Sequence, residues 1–292
     1  MFEQVTSILF PVFTLVVIGF GVGKTLKTDF VPINRLNMDV FLPALIFSSL
    51  VSMPIDLNQL PLLLAALIAL LVPGLLMTVS YFTSASYKTW APAQMFRNSG
   101  NLAIPLFGYT FGESSTGSAV LLFVVSTTLH IIIASLLLSN NGSGSIKHAL
   151  KSPVFIAAIG ALTWNFSGIS VWEPLYESTQ LLGQASIPIM LISLGSQMTK
   201  VQRSGLRIGV ISSVVSLLTG AVAFGLIYLL IPLPTQQLQM MVLFTMLPPA
   251  VMNYLFAERY QTEPHKVASM VLFGNAFSII TLPLLLSLAL SI

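Results

Sequence analysis

The stretches Arg97-Asn98-Ser99-Gly100-Asn101-Leu102-Ala103-Ile104-Pro105 and Leu247-Pro248-Pro249-Ala250-Val251-Met252-Asn253 decide how this chain folds. Each lies inside an otherwise apolar run, and each carries glycine or proline where a plain spanning helix would carry neither. Proline removes a backbone donor and blocks the carbonyl four residues back, and glycine weakens a helix further. At membrane depth the freed backbone groups are tolerated only where they line a polar cavity or meet protein partners. A pair of such interruptions at matching positions of two halves points to the site of a secondary transporter. The two half-helix N-termini there would present partial positive charge and free N–H groups, which suit an anion.

The surroundings of these stretches belong to a membrane protein. Hydrophobic residues make up 55% of the 292 residues and charged residues only 7%, against roughly 25% charged in a soluble domain. So few charges cannot cover a soluble surface. A span takes roughly 20 mostly apolar residues. On that ruler the chain is all-α with ten transmembrane segments, near 5–23, 36–53, 61–83, 89–112, 117–139, 151–169, 178–199, 206–231, 237–258 and 266–291. The connections are short, and Asn140 to Ser145 (NNGSGS) is the low-complexity linker. With no cysteine there is no disulfide framework and no thiol nucleophile. A net charge of +3, scattered along the chain, does not make a nucleic-acid surface. Met1 to Leu9 has no basic n-region or cleavage signature, so the first apolar run reads as a span rather than a removed signal.

Charge placement orients the spans. Lys24, Lys27, Arg35, Lys88, Arg97, Lys147, Lys151, Lys200, Arg203, Arg207, Arg259 and Lys266 all fall towards one face of the ten-segment reading. Glu3, Asp56, Glu113, Glu173 and Glu177 fall on the other, with no lysine or arginine beside them. The positive-inside rule then places both termini outside the cytoplasm, in a multi-pass protein of the inner (plasma) membrane.

The halves also resemble each other. Phe107-Gly108-Tyr109-Thr110-Phe111, with Ala119-Val120-Leu121 after it, recurs as Phe256-Ala257-Glu258-Arg259-Tyr260 with Ala268-Ser269-Met270, 149 residues on. Upstream, Phe41-Leu42-Pro43-Ala44-Leu45-Ile46 recurs as Ser186-Ile187-Pro188-Ile189-Met190-Leu191. The order agrees along the chain, which divides into a repeat at 1–139, a cytoplasmic linker at 140–150 and a repeat at 151–292. Five segments per half is an odd number, so the second copy enters from the opposite side. Inverted repeats give two nearly equivalent packings, one open to each side, which is the basis of alternating access.

At these residues the chain resembles the auxin efflux carrier family, which includes the plant PIN-FORMED auxin exporters and many bacterial organic-acid carriers. The resemblance rests on Asn98 followed by Ile104-Pro105, with Leu106 and Gly112 after them, and on Leu247-Pro248 with Phe256-Ala257 and Tyr260. It extends over essentially the whole chain, and it implies broken helices that cross, as in bile-acid and sodium/proton transporters, with a site at the crossing. Three features depart from the plant exporters. The linker here is short where theirs is long, Asn253 stands where they have proline, and segment 61–83 lacks the acidic member of their charged pair.

The candidate substrate-binding residues are Asn98, Ser99, Asn101, Pro105, Pro248, Pro249 and Asn253. The asparagines would donate to a carboxylate or glue helices together, and the prolines would shape the crossing or merely kink it. Asp39 and His130 are the candidates for ion or proton coupling. Their plainer roles are a helix cap for Asp39 and a packed, hydrogen-bonded histidine for His130. Pro43 and Pro188 are expected to shape helices beside the crossing. Arg97 is expected to snorkel back to the interface rather than steer an anion, so the crossing would hold no lysine or arginine of its own.

The function this implies is secondary transport of small organic anions: mono- or dicarboxylates, or auxin-like acids. A sodium- or proton-coupled symporter or antiporter is the alternative, but a cation site would need carboxylates at the crossing and none lies in either stretch. Catalysis is not expected, because no nucleophile–base pair, H-E-x-x-H or G-x-S-x-G occurs. The paired breaks favour a carrier over a channel. The partners are the organic anion, the bilayer, a coupling proton or sodium ion and, in a homodimer, a second copy. No cofactor, metal or nucleic acid is implied.

Overall fold

The computed structural model describes residues 2–26, 29–53, 59–78, 86–138, 151–199 and 205–292. The expected linker at 140–150, with Lys27, Asp56, Lys147, Lys200 and Arg203, lies outside the described residues. The described residues are helical: α1 (Phe2–Thr25), α2 (Val31–Ser52), α3 (Leu60–Leu76), α4 (Tyr87–Met95), α5 (Ile104–Phe111), α6 (Thr116–Leu138), α7 (Pro153–Ser167), α8 (Glu173–Met198), α9 (Leu206–Leu230), α10 (Thr235–Met246), α11 (Met252–Arg259) and α12 (Pro264–Leu290). Among them α1, α2, α6, α8, α9 and α12 are long and apolar enough to cross a bilayer, and α3 and α7 are shorter apolar helices. The fourth expected segment is the pair α4 and α5, and the ninth is α10 and α11.

Two starts come earlier than the apolar pattern suggests, α2 at Val31 and α8 at Glu173. Each has proline in its first turn, where the missing N–H would be unpaired anyway. The surface is apolar as lipid requires: Phe10, Leu181, Leu229 and Leu284 are each about two-thirds or more exposed.

Glycine sets the tightest helix pair. A Cβ built on Gly195 of α8 would stand 1.9 Å from the Val16 carbonyl oxygen of α1, and one on Gly19 would stand 2.0 Å from that of Ile192. Backbones touch here because nothing larger than hydrogen separates them, the usual device where lipid removes the hydrophobic drive between helices. α2 packs on both α7 and α8. Its C-terminal carbonyls at Leu50, Val51 and Met53 accept from Asn165 Nδ2 of α7 at 2.9, 3.0 and 2.7 Å, so those helix ends lie together. At another end of the fold, Thr89 Oγ1 of α4 donates to Glu263 Oε2 at 2.6 Å, and Lys266 of α12 pairs with the same carboxylate. A second group of helices gathers around α9, which packs on α3, α10 and α12.

Two helices widen at matching places. The N–H of Leu42 reaches back five residues to the carbonyl of Asn37, making a π-turn over Asn37–Phe41. The N–H of Ile104 likewise reaches Ser99, making one over Ser99–Ala103. Each is followed two residues after its end by proline, Pro43 or Pro105. A proline ring collides with the carbonyl four residues back, and a π-turn is one way to move that carbonyl aside. Pro188 lies within α8, which continues through it as an α-helix.

Candidate functional site

The two interrupted segments meet at their interruptions. α4 ends at Met95, and Phe96 is extended; α10 ends at Met246, and Leu247 is extended. Arg97 and Pro249 then face each other in a short antiparallel contact. The Asn98 N–H donates to the Pro248 carbonyl at 2.8 Å, and the Ala250 N–H donates to the Phe96 carbonyl at 2.9 Å. Each break therefore satisfies backbone groups that the other leaves free, which is what unwound chain at membrane depth requires. In the first break the unwound residues come earlier than the proline: Pro105 occupies the opening turn of α5. In the second, Pro248 and Pro249 are themselves unwound and offer carbonyls only.

Asparagine side chains lock this contact. Asn98 Nδ2 donates to Asn275 Oδ1 at 2.6 Å, and Asn275 Nδ2 donates to the Pro249 carbonyl at 3.1 Å. Asn253 Nδ2 donates to the Phe96 carbonyl at 2.9 Å. Asn275, on α12, joins both breaks and was not singled out from the sequence. Its signal was an asparagine in the middle of an apolar span. His130 stacks on Phe96 with ring centroids 4.1 Å apart and tilts against Phe256 at 5.1 Å. Its side chain neighbours that of Asn253, but His130 Nε2 and Asn253 Oδ1 are both buried without a formed hydrogen bond.

Arg97 corrects the expectation drawn from sequence. It does not snorkel: it is 1% exposed. Its guanidinium turns inward to α9, where it donates to Ser216 Oγ, to the Ser216 carbonyl and Thr219 Oγ1 at 3.2 Å each, and to the Leu247 carbonyl at 3.4 Å. The crossing therefore has a cation of its own. Every one of these partners is neutral, and among the described residues no carboxylate pairs with Arg97. Small side chains on α9 supply acceptors that an apolar face could not, so the arginine stays buried.

A cavity of about 200 Å³ lies beside the crossing. Asn98, Ser99, Asn101 and Arg97 border it on one side, Asn34 and Asn37 of α2 on another, and Ser126, Thr127 and His130 of α6 on a third. A larger cavity of about 650 Å³ opens elsewhere, between α2, α5 and α8, past Ser48, Ser52, Tyr109, Glu113 and Gln180. Of the expected site residues, the structure brings Asn98, Ser99, Asn101 and His130 to the smaller cavity and Pro105 to the larger. Pro248 and Pro249 border a narrow cleft against Gly274. Asp39 is half-exposed, pairs with Arg35 at 3.6 Å and lines neither cavity. Pro43 acts through the π-turn it follows. Among the described residues no three His, Asp or Glu side chains converge as metal ligands would.

The sequence model of the family described as membrane transport protein matches residues 4–286. No curated protein matches the chain significantly.

Proposed function

Starting from the fact that the chain belongs to the membrane transport protein family, that of the auxin efflux carriers, we propose that it is a secondary carrier of small organic anions working by alternating access around the crossing. Members of this family are transporters, not enzymes. The observation that carries the reading is a buried arginine with no carboxylate paired to it among the described residues, set at the paired breaks beside a cavity rich in amide and hydroxyl groups. A lone cation at membrane depth is costly unless paired. A carboxylate substrate entering the cavity supplies the missing countercharge, and Ser99, Asn101 and the free N–H groups that follow the break supply donors.

The helix partners support the inverted arrangement of five and five segments. α1 packs on α8 as α7 packs on α2, and α3 packs on α4 as α9 packs on α10. These are the pairs that exchange when the first half is laid on the second. The cavities fit a rocking motion of two bodies. One body is α1, α2, α7 and α8; the other holds the crossing with α9 and α12, tied by Arg97 and Asn275. The contacts between helix ends fit ten crossings of the plasma membrane with both termini outside the cytoplasm. They join Asn165 to the end of α2, and Thr89 to Glu263.

The test is uptake of labelled mono- and dicarboxylates into proteoliposomes, with pH and sodium gradients imposed separately. Uptake that saturates, and that Asn98→Asp abolishes by setting a like charge against the anion, is the expected result. Wild-type rate and affinity in membrane-inserted Asn98→Asp protein would move the site away from the crossing.

A further inference from the structure

We propose that Asn37, on the π-turn of α2, contacts the substrate directly and recognises a second acceptor group on it. The preferred cargo is then a short acid with an acceptor at each end, a dicarboxylate or an oxo or hydroxy acid. This rests on the carrier reading and assigns the wall of the cavity that faces the crossing.

Asn37 is 4% exposed and borders the 200 Å³ cavity opposite Asn98 to Asn101. Its Oδ1 accepts from Ser186 Oγ of α8 at 2.7 Å. One turn earlier, Asn34 Oδ1 accepts from Ser193 Oγ at 2.6 Å, and that hydroxyl accepts from Gln197 Nε2 at 3.2 Å. The chain from Gln197 through Ser193 to Asn34 has a direction, because a serine that accepts from the glutamine amide gives its own proton onward. Both asparagines are thus held by their oxygens. Among the described residues no acceptor meets the amide Nδ2 of either, and both border the cavity. Neither amide is sealed into the core: both open on the cavity, where an acceptor that enters can meet them.

The Asn34 and Asn37 amides present donors to the cavity, which fits a carboxylate, carbonyl or hydroxyl oxygen rather than a bare cation as their ligand. The opposite wall carries Asn98, Ser99 and Asn101, with Arg97 behind it turned to α9. A cavity of about 200 Å³ is close to seven water-sized volumes at roughly 30 Å³ each. That volume suits a short-chain molecule. The two π-turns place the walls: Asn37 and Ser99 each stand six residues before a proline, and each opens the turn that widens its helix beside the cavity.

The experiment is proteoliposome uptake of succinate and of butyrate, which share chain length and differ at one end. Wild-type protein is expected to prefer succinate. Asn37→Ala should raise the succinate KM about tenfold and leave butyrate within about twofold, while Asn37→Gln, which keeps a donor, recovers part of the loss. Ser186→Ala lies on the other helix and frees the Asn37 amide to turn. It should shift succinate in the same direction by less, so the proposal stands or falls even where an Asn37 variant fails to insert. Equal shifts for both acids would reduce Asn37 to a packing residue and overturn the proposal. Wild-type uptake without preference for succinate overturns this proposal alone, and no uptake of any carboxylate overturns the carrier reading with it.

Discussion

Replacing Arg97 with methionine separates the two roles a buried arginine can have. Hydrogen bonds to a charged group are worth about 1.5–3 kcal/mol each, and Arg97 makes four. Against them stands a desolvation penalty of several kcal/mol, which replacement by an apolar side chain removes. The abandoned acceptors are not stranded: Thr219 Oγ1 already donates to the Val215 carbonyl at 2.8 Å, and Ser216 Oγ reaches the Leu247 carbonyl at 3.4 Å. Arg97→Met should therefore insert and melt within a few degrees of wild type. Its effect on an anion is of another size. For a carboxylate taken to sit roughly 7 Å from the guanidinium, at an effective dielectric constant of about 20, the attraction would be about 2.4 kcal/mol, close to fiftyfold in affinity. Arg97→Lys keeps the charge but loses the fork that spans Ser216 and Thr219, so it should fall between. Initial uptake rates at varied substrate give KM for each, with size-exclusion profiles showing intact protein. A monodisperse Arg97→Met protein with KM within twofold of wild type would refute the assignment of Arg97 as countercharge.

Three further outcomes follow from other parts of the fold. Gly195→Ala forces a Cβ against the Val16 carbonyl and the Phe20 nitrogen, 1.9 and 2.8 Å away; these are backbone atoms, so α1 and α8 must part, and thermal unfolding should drop by about 5 °C or more. For topology, Glu113→Cys should react with an impermeant thiol reagent from outside intact cells and Lys151→Cys should not; the chain has no native cysteine to confuse the result, and the opposite pattern would overturn the orientation. The Glu263 carboxyl is held below its ordinary value by its hydrogen bond to Lys266, then by that to Thr89. A carboxyl depressed in the folded state stabilises above the unfolded pKa, and that contribution goes as pH falls through the folded one. Melting measured from pH 6 downwards should fall less steeply in Glu263→Gln than in wild type, and identical slopes would show that the tie between α4 and α12 contributes nothing.

Much of the fold was legible because lipid imposes simple rules. The apolar lengths marked where helices run, and Gly100, Pro105, Pro248 and Pro249 marked where two of them fail. What composition could not give was the direction of a side chain. Arg97 read as an interfacial arginine because it sits near a basic connection. It is buried because Ser216 and Thr219, more than a hundred residues away, offer acceptors on a facing helix. Asn275 was unremarked for the same reason: a lone asparagine in a span says that it needs partners, not which ones. Asp39 drew attention as a carboxylate within an apolar segment, but Arg35 one turn before it was enough to hold it at the surface. For Arg97 and Asn275 the missing information was a contact distant in sequence; for Asp39 it was which way the helix turned it.

The π-turns show a middle ground, where local sequence sets a geometry whose use is decided at long range. Pro43 and Pro105 each displace the carbonyl four residues back, belonging to Asp39 and Asn101. The helix answers by taking up an extra residue, which rotates everything before the proline relative to everything after it. In α2 that rotation separates neighbours: Asp39 goes to the surface with Arg35 while Asn37 turns inward to Ser186. After the first break it sets Asn101 towards the cavity and Pro105 towards the other one. The second half repeats the prolines but not the turns, since Pro188 leaves α8 regular and Pro248-Pro249 unwinds the chain outright. Most polar side chains at the cavity therefore come from the first half, and from the second Gln197 joins them beside apolar residues and backbone. A carrier built from two related halves, as proposed, need not have a symmetric site, and the asymmetry would begin with where each proline falls relative to an asparagine.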